Sequence, residues 1–224
     1  MPELRLPVSE IFGPTLQGEG IHSGRSAVFI RMAGCDSRCP WCDTPYAKTT
    51  ADCELLTSGE ILKRVEALGR PRLVVITGGN PCIHDLRLLV SKLKIKHTEV
   101  HLETQGTIKP DWIERCDLVT ICPKITDEQS SERAMEFIRF AMKKAPIQLK
   151  YVVFNEEDFQ TAQRLAQEFK SVDFIVQPGW DPATNTYPFG FAALAERVAK
   201  DFNHRQVRFL PQLHRILWGG ARGV

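Results

Sequence analysis

Three cysteines close together carry the densest chemistry in this sequence. Cys35, Cys39 and Cys42 stand in the segment Gly34-Cys35-Asp36-Ser37-Arg38-Cys39-Pro40-Trp41-Cys42-Asp43, a C-x3-C-x2-C spacing. Three thiolates on one short loop suit three corners of a [4Fe–4S] cluster, a centre held by cysteine sulfur. With only three local ligands the fourth iron would stay open to an exogenous ligand, as catalytic metal sites keep one position free. The same residues also fit a closed zinc site completed by Cys53 or His22, or a set of reactive thiols. The scattered cysteines Cys53, Cys82, Cys116 and Cys122 read as small buried apolar residues. Elsewhere, Arg31 sits within the apolar run Val28–Met32, where an unpaired charge is costly, and Glu103 ends another apolar run. Gly78-Gly79-Asn80-Pro81 reads as a tight turn that can bring backbone close to a ligand.

The elements that must position these residues alternate in type. Strands are expected at Ala27–Met32, Leu73–Thr77, Glu99–Glu103, Leu118–Cys122, Leu149–Phe154, Phe174–Gln177 and Gln206–Leu210. Thr57-Ser58-Gly59-Glu60 is a capping box opening a helix whose apolar face is Ile61, Leu62, Val65 and Leu68. Helical spacing recurs at Asp85–Leu93, Glu132–Met142, Glu156–Phe169 and Phe191–Phe202. This alternation predicts an α/β protein with a mostly parallel sheet in one domain, of roughly six strand–helix units. Pattern alone leaves both an open partial barrel and a doubly wound sheet. Polar and glycine-rich segments follow the strands: the cysteine loop, Gly78-Gly79, Thr104-Gln105-Gly106, Pro123-Lys124 and Pro178-Gly179. In parallel α/β folds ligands bind at the carboxyl ends of strands, so these segments are expected to converge on one site.

Composition narrows the function classes. With 29 basic and 27 acidic residues among 224, the net charge of +2 lacks the basic excess a dedicated nucleic-acid binder needs. No apolar run is long enough to span a membrane, and Glu3 and Arg5 interrupt the place of a secretory apolar segment. A cytoplasmic protein is expected, in which a tight cysteine cluster serves metal or redox chemistry rather than disulfides.

The cysteine spacing, with an aromatic residue before the last cysteine, resembles the radical S-adenosylmethionine (SAM) superfamily signature. Further blocks resemble the 7-carboxy-7-deazaguanine synthase family in particular. They are Glu10 to Gly20, Phe29-Ile30-Arg31, Cys42-Asp43-Thr44, Thr77-Gly78-Gly79-Asn80-Pro81, Leu102 to Thr107, and the tail from Leu210 through Gln212-Leu213-His214 to Val224. The resemblance implies a partial, modified TIM-like (β/α)6 barrel of the radical SAM type. It spans residues 1–224 as one domain, with an N-terminal substrate loop and a docked C-terminal tail. It implies a [4Fe–4S] cluster on Cys35, Cys39 and Cys42, with SAM on the open iron and Mg2+ at Thr44. SAM, split by one electron to a 5′-deoxyadenosyl radical and later regenerated, would drive ring contraction of 6-carboxy-5,6,7,8-tetrahydropterin to 7-carboxy-7-deazaguanine with loss of ammonia.

Residue by residue, the resemblance places Trp41, Cys42 and Asp43 along SAM, together with Gly78, Gly79 and Asn80. Cys122, Pro123 and Lys124 would meet its ribose and methionine part, and Gln177 and Pro178 would close over the adenosine. Asn80 replaces the glutamate usual in the superfamily motif, and Cys122 replaces a usual serine. For substrate it implies Leu16, Gln17, Gly18, Glu19, Arg31, Thr77, Glu103, His214 and the terminal carboxylate of Val224. A guanidinium such as that of Arg31 gives a fork for a carboxylate, and Glu103 can accept two hydrogen bonds from an aminopyrimidinone edge. A one-electron donor of flavodoxin or ferredoxin type and a homodimer are implied as partners. A glycyl-radical activase, or a noncatalytic iron–sulfur or zinc module, are the competing readings.

Overall fold

A computed structural model describes residues 3–202 and 206–224. Its strands are β1 (Arg5–Leu16), β2 (Ser26–Met32), β3 (Glu54–Thr57), β4 (Leu73–Gly78), β5 (Glu99–Thr104), β6 (Leu118–Ile121), β7 (Ile147–Val153), β8 (Asp173–Pro178) and β9 (Val207–Phe209). The helices are α1 (Ser58–Ala67), α2 (Arg87–Ile95), α3 (Glu128–Met142), α4 (Glu156–Glu168), α5 (Phe191–Asp201) and α6 (Leu213–Trp218). One sheet runs in the order β3-β1-β2-β4-β5-β6-β7-β8-β9. From β2 to β9 every neighbouring pair is parallel, while β1 is antiparallel to both β2 and β3.

Alternation along each strand sorts the two faces. Val100 and Leu102, Val119 and Ile121, Leu149 and Val153, and Phe174 and Val176 turn one way and join Leu89, Leu93, Phe137 and Phe159 of the helices in the main apolar cluster. Each such side chain removed from water contributes about 1.5–3 kcal/mol. The residues between them, His101, Glu103, Thr120, Gln148, Lys150 and Gln177, put polar groups on the opposite face. Helices therefore cover one face and the other forms a polar interior, which selects the partial TIM-like barrel over the doubly wound sheet.

The expected α-helices all form. α3 begins at Glu128 rather than Glu132 because Asp127 and Ser130 make a reciprocal capping box. The β5–β6 crossover carries a 3-10 helix, Asp111–Arg115, in place of an α-helix. Two strands were not expected: β1, whose Pro7, Gly13 and Pro14 disguise it, and the four-residue β3 beside it. The β1–β2 hairpin folds its tip, residues 17–25, over the polar interior. Gln17 N–H donates to the Arg25 carbonyl (2.7 Å), Ile21 N–H to Gln148 Oε1 (2.8 Å), and Gln148 in turn to Thr120 Oγ1 (2.6 Å). Among the described residues no helix is long and apolar enough to cross a membrane.

Candidate active site

A cavity of about 290 Å³ opens at the carboxyl ends of the parallel strands, walled by the cysteine loop, the hairpin tip and the C-terminal tail. The cysteine loop is held from below by Asp36, whose carboxylate accepts from Asn80 Nδ2 (2.8 Å), Gln105 Nε2 (2.7 Å) and Thr107 Oγ1 (2.5 Å). Lys48 donates to the Cys39 carbonyl (2.9 Å). Gly79 makes this fit feasible: a Cβ there would stand 2.2 Å from the Gly34 carbonyl oxygen and 2.7 Å from that of Ala47. At Gly78, φ +144°, a Cβ would likewise stand 2.2 Å from the Met32 carbonyl oxygen.

Cys35, Cys39 and Cys42 are free thiols on the cavity wall. The Ser37 N–H (3.4 Å) and the Gln105 amide (3.6 Å) donate to the Cys35 sulfur. Among the described residues the only trio of such ligand atoms within 4.8 Å of one another is His22, Glu99 and His101. At least one pair of the three sulfurs therefore lies more than 4.8 Å apart, wider than the roughly 3.8 Å at which 2.3 Å bonds to one zinc ion would hold them. Nor are the fourth zinc ligands at hand. Cys53 donates to the Thr50 carbonyl (3.1 Å) off the cavity wall, and His22 packs on His101 at 4.7 Å within the hairpin tip. Thiols spread around an open wall fit a polynuclear iron–sulfur cluster. Burial pushes the Cys39 thiol up, so an occupying metal would have to draw off its proton.

The His22, Glu99 and His101 trio is itself closed by a cation of the chain. Arg25 donates to both Glu99 oxygens (2.9 and 2.6 Å) and lies 3.0 Å from His22 Nδ1. This network ties the hairpin tip to β5.

Beside the cysteines, Trp41 meets Phe154 at 5.3 Å, and Lys124 stands 3.2 Å from the Cys122 sulfur. Burial works against the Lys124 charge, but attraction to the Cys122 and Cys39 sulfurs outweighs it and its pKa is raised. On the same cavity wall, Glu103 accepts from Gln17 Nε2 (3.0 Å) and Thr77 Oγ1 (2.9 Å). The Arg31 Nε donates to Glu10 (2.7 Å), which also accepts from Tyr46 (2.9 Å) and Arg222 (2.9 Å). Arg31 is thereby fixed by its Nε, leaving its terminal amino groups for the cavity it lines.

The tail docks on the hairpin tip. Leu213 N–H donates to the Gly18 carbonyl (2.8 Å), and a Cβ on Gly18 would meet His214 Nδ1 at 2.2 Å. Gln212 donates to Glu19 (2.7 Å) and Asp43 (3.1 Å), joining tail, tip and cysteine loop. Asp43 also accepts from Thr44 Oγ1 (2.8 Å). Burial and Glu19 push its carboxyl up, but the Thr44 and Gln212 hydrogen bonds hold it below the usual range. Glu19 is bonded to Lys150. Burial opposes both charges, yet their mutual attraction lowers the carboxyl and raises the ammonium.

Among the residues expected from sequence, Leu16, Gln17, Gly18, Glu19, Arg31, the three cysteines, Trp41, Asp43, Thr44, Thr77, Gly78, Gly79, Glu103, Cys122, Lys124, Gln177, His214 and Val224 all lie on the cavity wall. Asn80, Pro123 and Pro178 do not. Asn80 is fully buried and braces the loop: its amide nitrogen holds Asp36 and Thr107, and its oxygen accepts from Thr104 (2.9 Å). Sequence reasoning missed Lys150, Gln105, Gln212, Tyr46 and Arg222. Lys150 carries the same signal as Arg31, a charge inside an apolar strand. Gln105 and Gln212 lie in segments the sequence singled out but were given no role there, and Tyr46 and Arg222 carry no signal.

Residues 29–121 match the radical SAM superfamily. Together with the partial barrel and the three-thiol wall at its strand ends, this defines the class: a radical SAM protein. The chain is 35% identical to the 7-carboxy-7-deazaguanine synthase of Bacillus subtilis over 98% of both chains. It is 34% identical to that of Bacillus cereus over 98% of this chain and 99% of the other. The crystal structure of QueE from Escherichia coli superposes with a TM-score of 0.66 at 28% identity, covering 94% of this chain and 95% of that one. The chain belongs to the 7-carboxy-7-deazaguanine synthase family.

Proposed function

We propose that this protein converts 6-carboxy-5,6,7,8-tetrahydropterin to 7-carboxy-7-deazaguanine with release of ammonia, a carbon–nitrogen lyase step toward queuosine-type deazapurines. The observation that carries the reading is what one cavity gathers: three free cysteines and a carboxylate oriented by Gln17 and Thr77.

Cys35, Cys39 and Cys42 would hold a [4Fe–4S] cluster. Trp41, Asp43, Gly78, Gly79, Cys122, Lys124 and Gln177 would surround SAM. When bound, cluster and SAM supply one-electron chemistry that removes a hydrogen atom from the substrate and returns one, with SAM regenerated. The chain's own residues orient the substrate. Glu103 accepts two hydrogen bonds from the aminopyrimidinone edge. Arg31, fixed through Nε, offers its terminal amino groups to the substrate carboxylate. Thr44 would offer a hard oxygen to Mg2+, shared with that carboxylate. Glu19, bonded to Lys150 on β7 and to Gln212 of the tail, positions the hairpin tip. Leu16, Gly18, His214 and Val224 complete the substrate wall. The same reading takes the whole chain as one domain working as a cytoplasmic homodimer, reduced by a flavodoxin- or ferredoxin-type donor.

Substitution separates this from a closed metal module. Cys53→Ser is expected to keep full iron and sulfide content and product formation, and Cys39→Ser to lose both. Loss of the metal centre in Cys53→Ser would overturn the three-cysteine assignment.

A further inference from the structure

Among the described residues, the cations that wall the cavity have hydrogen-bonding partners in the protein, with one exception. Arg31 and Arg222 share Glu10, Lys150 is held by Glu19, Lys48 by the Cys39 carbonyl and Lys124 by the Cys122 sulfur. Arg215 lines the same cavity, and its Nε is buried with no hydrogen-bond partner among the described residues. Its guanidinium lies instead 4.9 Å from the centre of the Trp180 ring, which also lines the cavity.

The fold fixes this arrangement from both sides. Arg215 stands in the first turn of α6, its N–H bonded to the Gln212 carbonyl (3.1 Å), while Gln212 is tied to Glu19 and Asp43. Trp180 is braced edge-on by Tyr187 at 5.0 Å, and Tyr187 by Phe191 at 5.2 Å. A buried donor left unpaired is costly, and a guanidinium over an aromatic face keeps its in-plane N–H groups free for an acceptor. Such a group is prepared for an anion that the protein itself does not supply.

We propose that Arg215 is a ligand-binding residue whose guanidinium, stacked on Trp180, takes a carboxylate of the molecules bound in this cavity. The inference rests on the functional reading above, which gives two sources for that carboxylate: the methionyl end of SAM and the pterin substrate.

The experiment measures dissociation constants on unreduced, cluster-loaded protein for four ligands: SAM, decarboxylated SAM, 6-carboxytetrahydropterin and tetrahydropterin without the carboxylate. Arg215→Gln is expected to weaken one carboxylated ligand roughly ten- to a hundred-fold, the range for losing hydrogen bonds to a charged group. It should leave that ligand's decarboxylated counterpart within about two-fold, and the ligand that shows the difference is the source. Arg215→Lys should restore only part of the loss, because an ammonium keeps the charge without the fork. Equal weakening of a ligand with and without its carboxylate would mean that Arg215 merely holds the tail, and would overturn the proposal. So would unchanged binding of all four. Wild-type protein that bound SAM but not the pterin would instead overturn the substrate assignment, leaving SAM to decide the role of Arg215.

Discussion

Glu103 shows how a single side chain is prepared for recognition. Its carboxylate ends β5 on the polar face, and each oxygen already accepts one hydrogen bond, from Gln17 and from Thr77. Those bonds fix the plane of the carboxylate and leave further lone pairs for a ligand's paired donors. Glu103→Gln turns one acceptor into a donor that would face a substrate donor. KM for the pterin is expected to rise roughly ten- to a hundred-fold, with the SAM dissociation constant unchanged. An unchanged KM would remove Glu103 from the substrate wall. Residues of this type were legible in the sequence because a charge inside an apolar strand demands a partner, which is true of Arg31 as well. The same reasoning reaches Lys150 once applied evenly. It does not reach Gln105 or Gln212, which are uncharged and lie outside apolar runs, so only the folded chain reveals what they join.

The elements were legible where one periodicity dominates. The parallel strands are short apolar runs and α1 opens on a capping box, so these were found nearly to the residue, whereas α3 starts four residues before its expected first residue. β1 was read for its motif instead, because its burial alternates irregularly and prolines interrupt it. The consequence is that the segment expected to form a substrate loop is the tip of a β1–β2 hairpin turned into the barrel, held by Gln148, Lys150, Glu99 and His101. Burial lowers the pKa of His101 and of His22, so the fold favours their neutral forms. Below the ordinary histidine pKa of about 6.5 the unfolded chain takes up protons that the folded chain resists. The stability these histidines contribute is therefore fully present above that pH and is lost as pH falls through the window beneath it. Anaerobic thermal melts of the holoenzyme between pH 7.5 and 5.5 should show this decline, and His101→Gln should make it shallower. An equal slope in the variant would mean that His101 titrates freely.

At the scale of the whole molecule, the sheet stays open between β3 and β9, and the cavity is completed by segments that add little to the core. α6 has no buried residue, yet Gln212, the Leu213 N–H and Arg222 bind the tip, the cysteine loop and β1. The tail is thus expected to serve the site rather than the fold. Removing residues 211–224 should leave the far-ultraviolet circular dichroism and the iron content intact while turnover falls at least about a hundred-fold, the scale of lost positioning. Retained turnover would show that the cavity works without its tail. The measurement that bears most directly on the whole account is anaerobic turnover of the reconstituted, reduced protein with SAM and 6-carboxytetrahydropterin, following 7-carboxy-7-deazaguanine and residual SAM together. The expected result is product in excess of the SAM consumed. Absence of product from protein shown to hold a [4Fe–4S] cluster would contradict the substrate assignment.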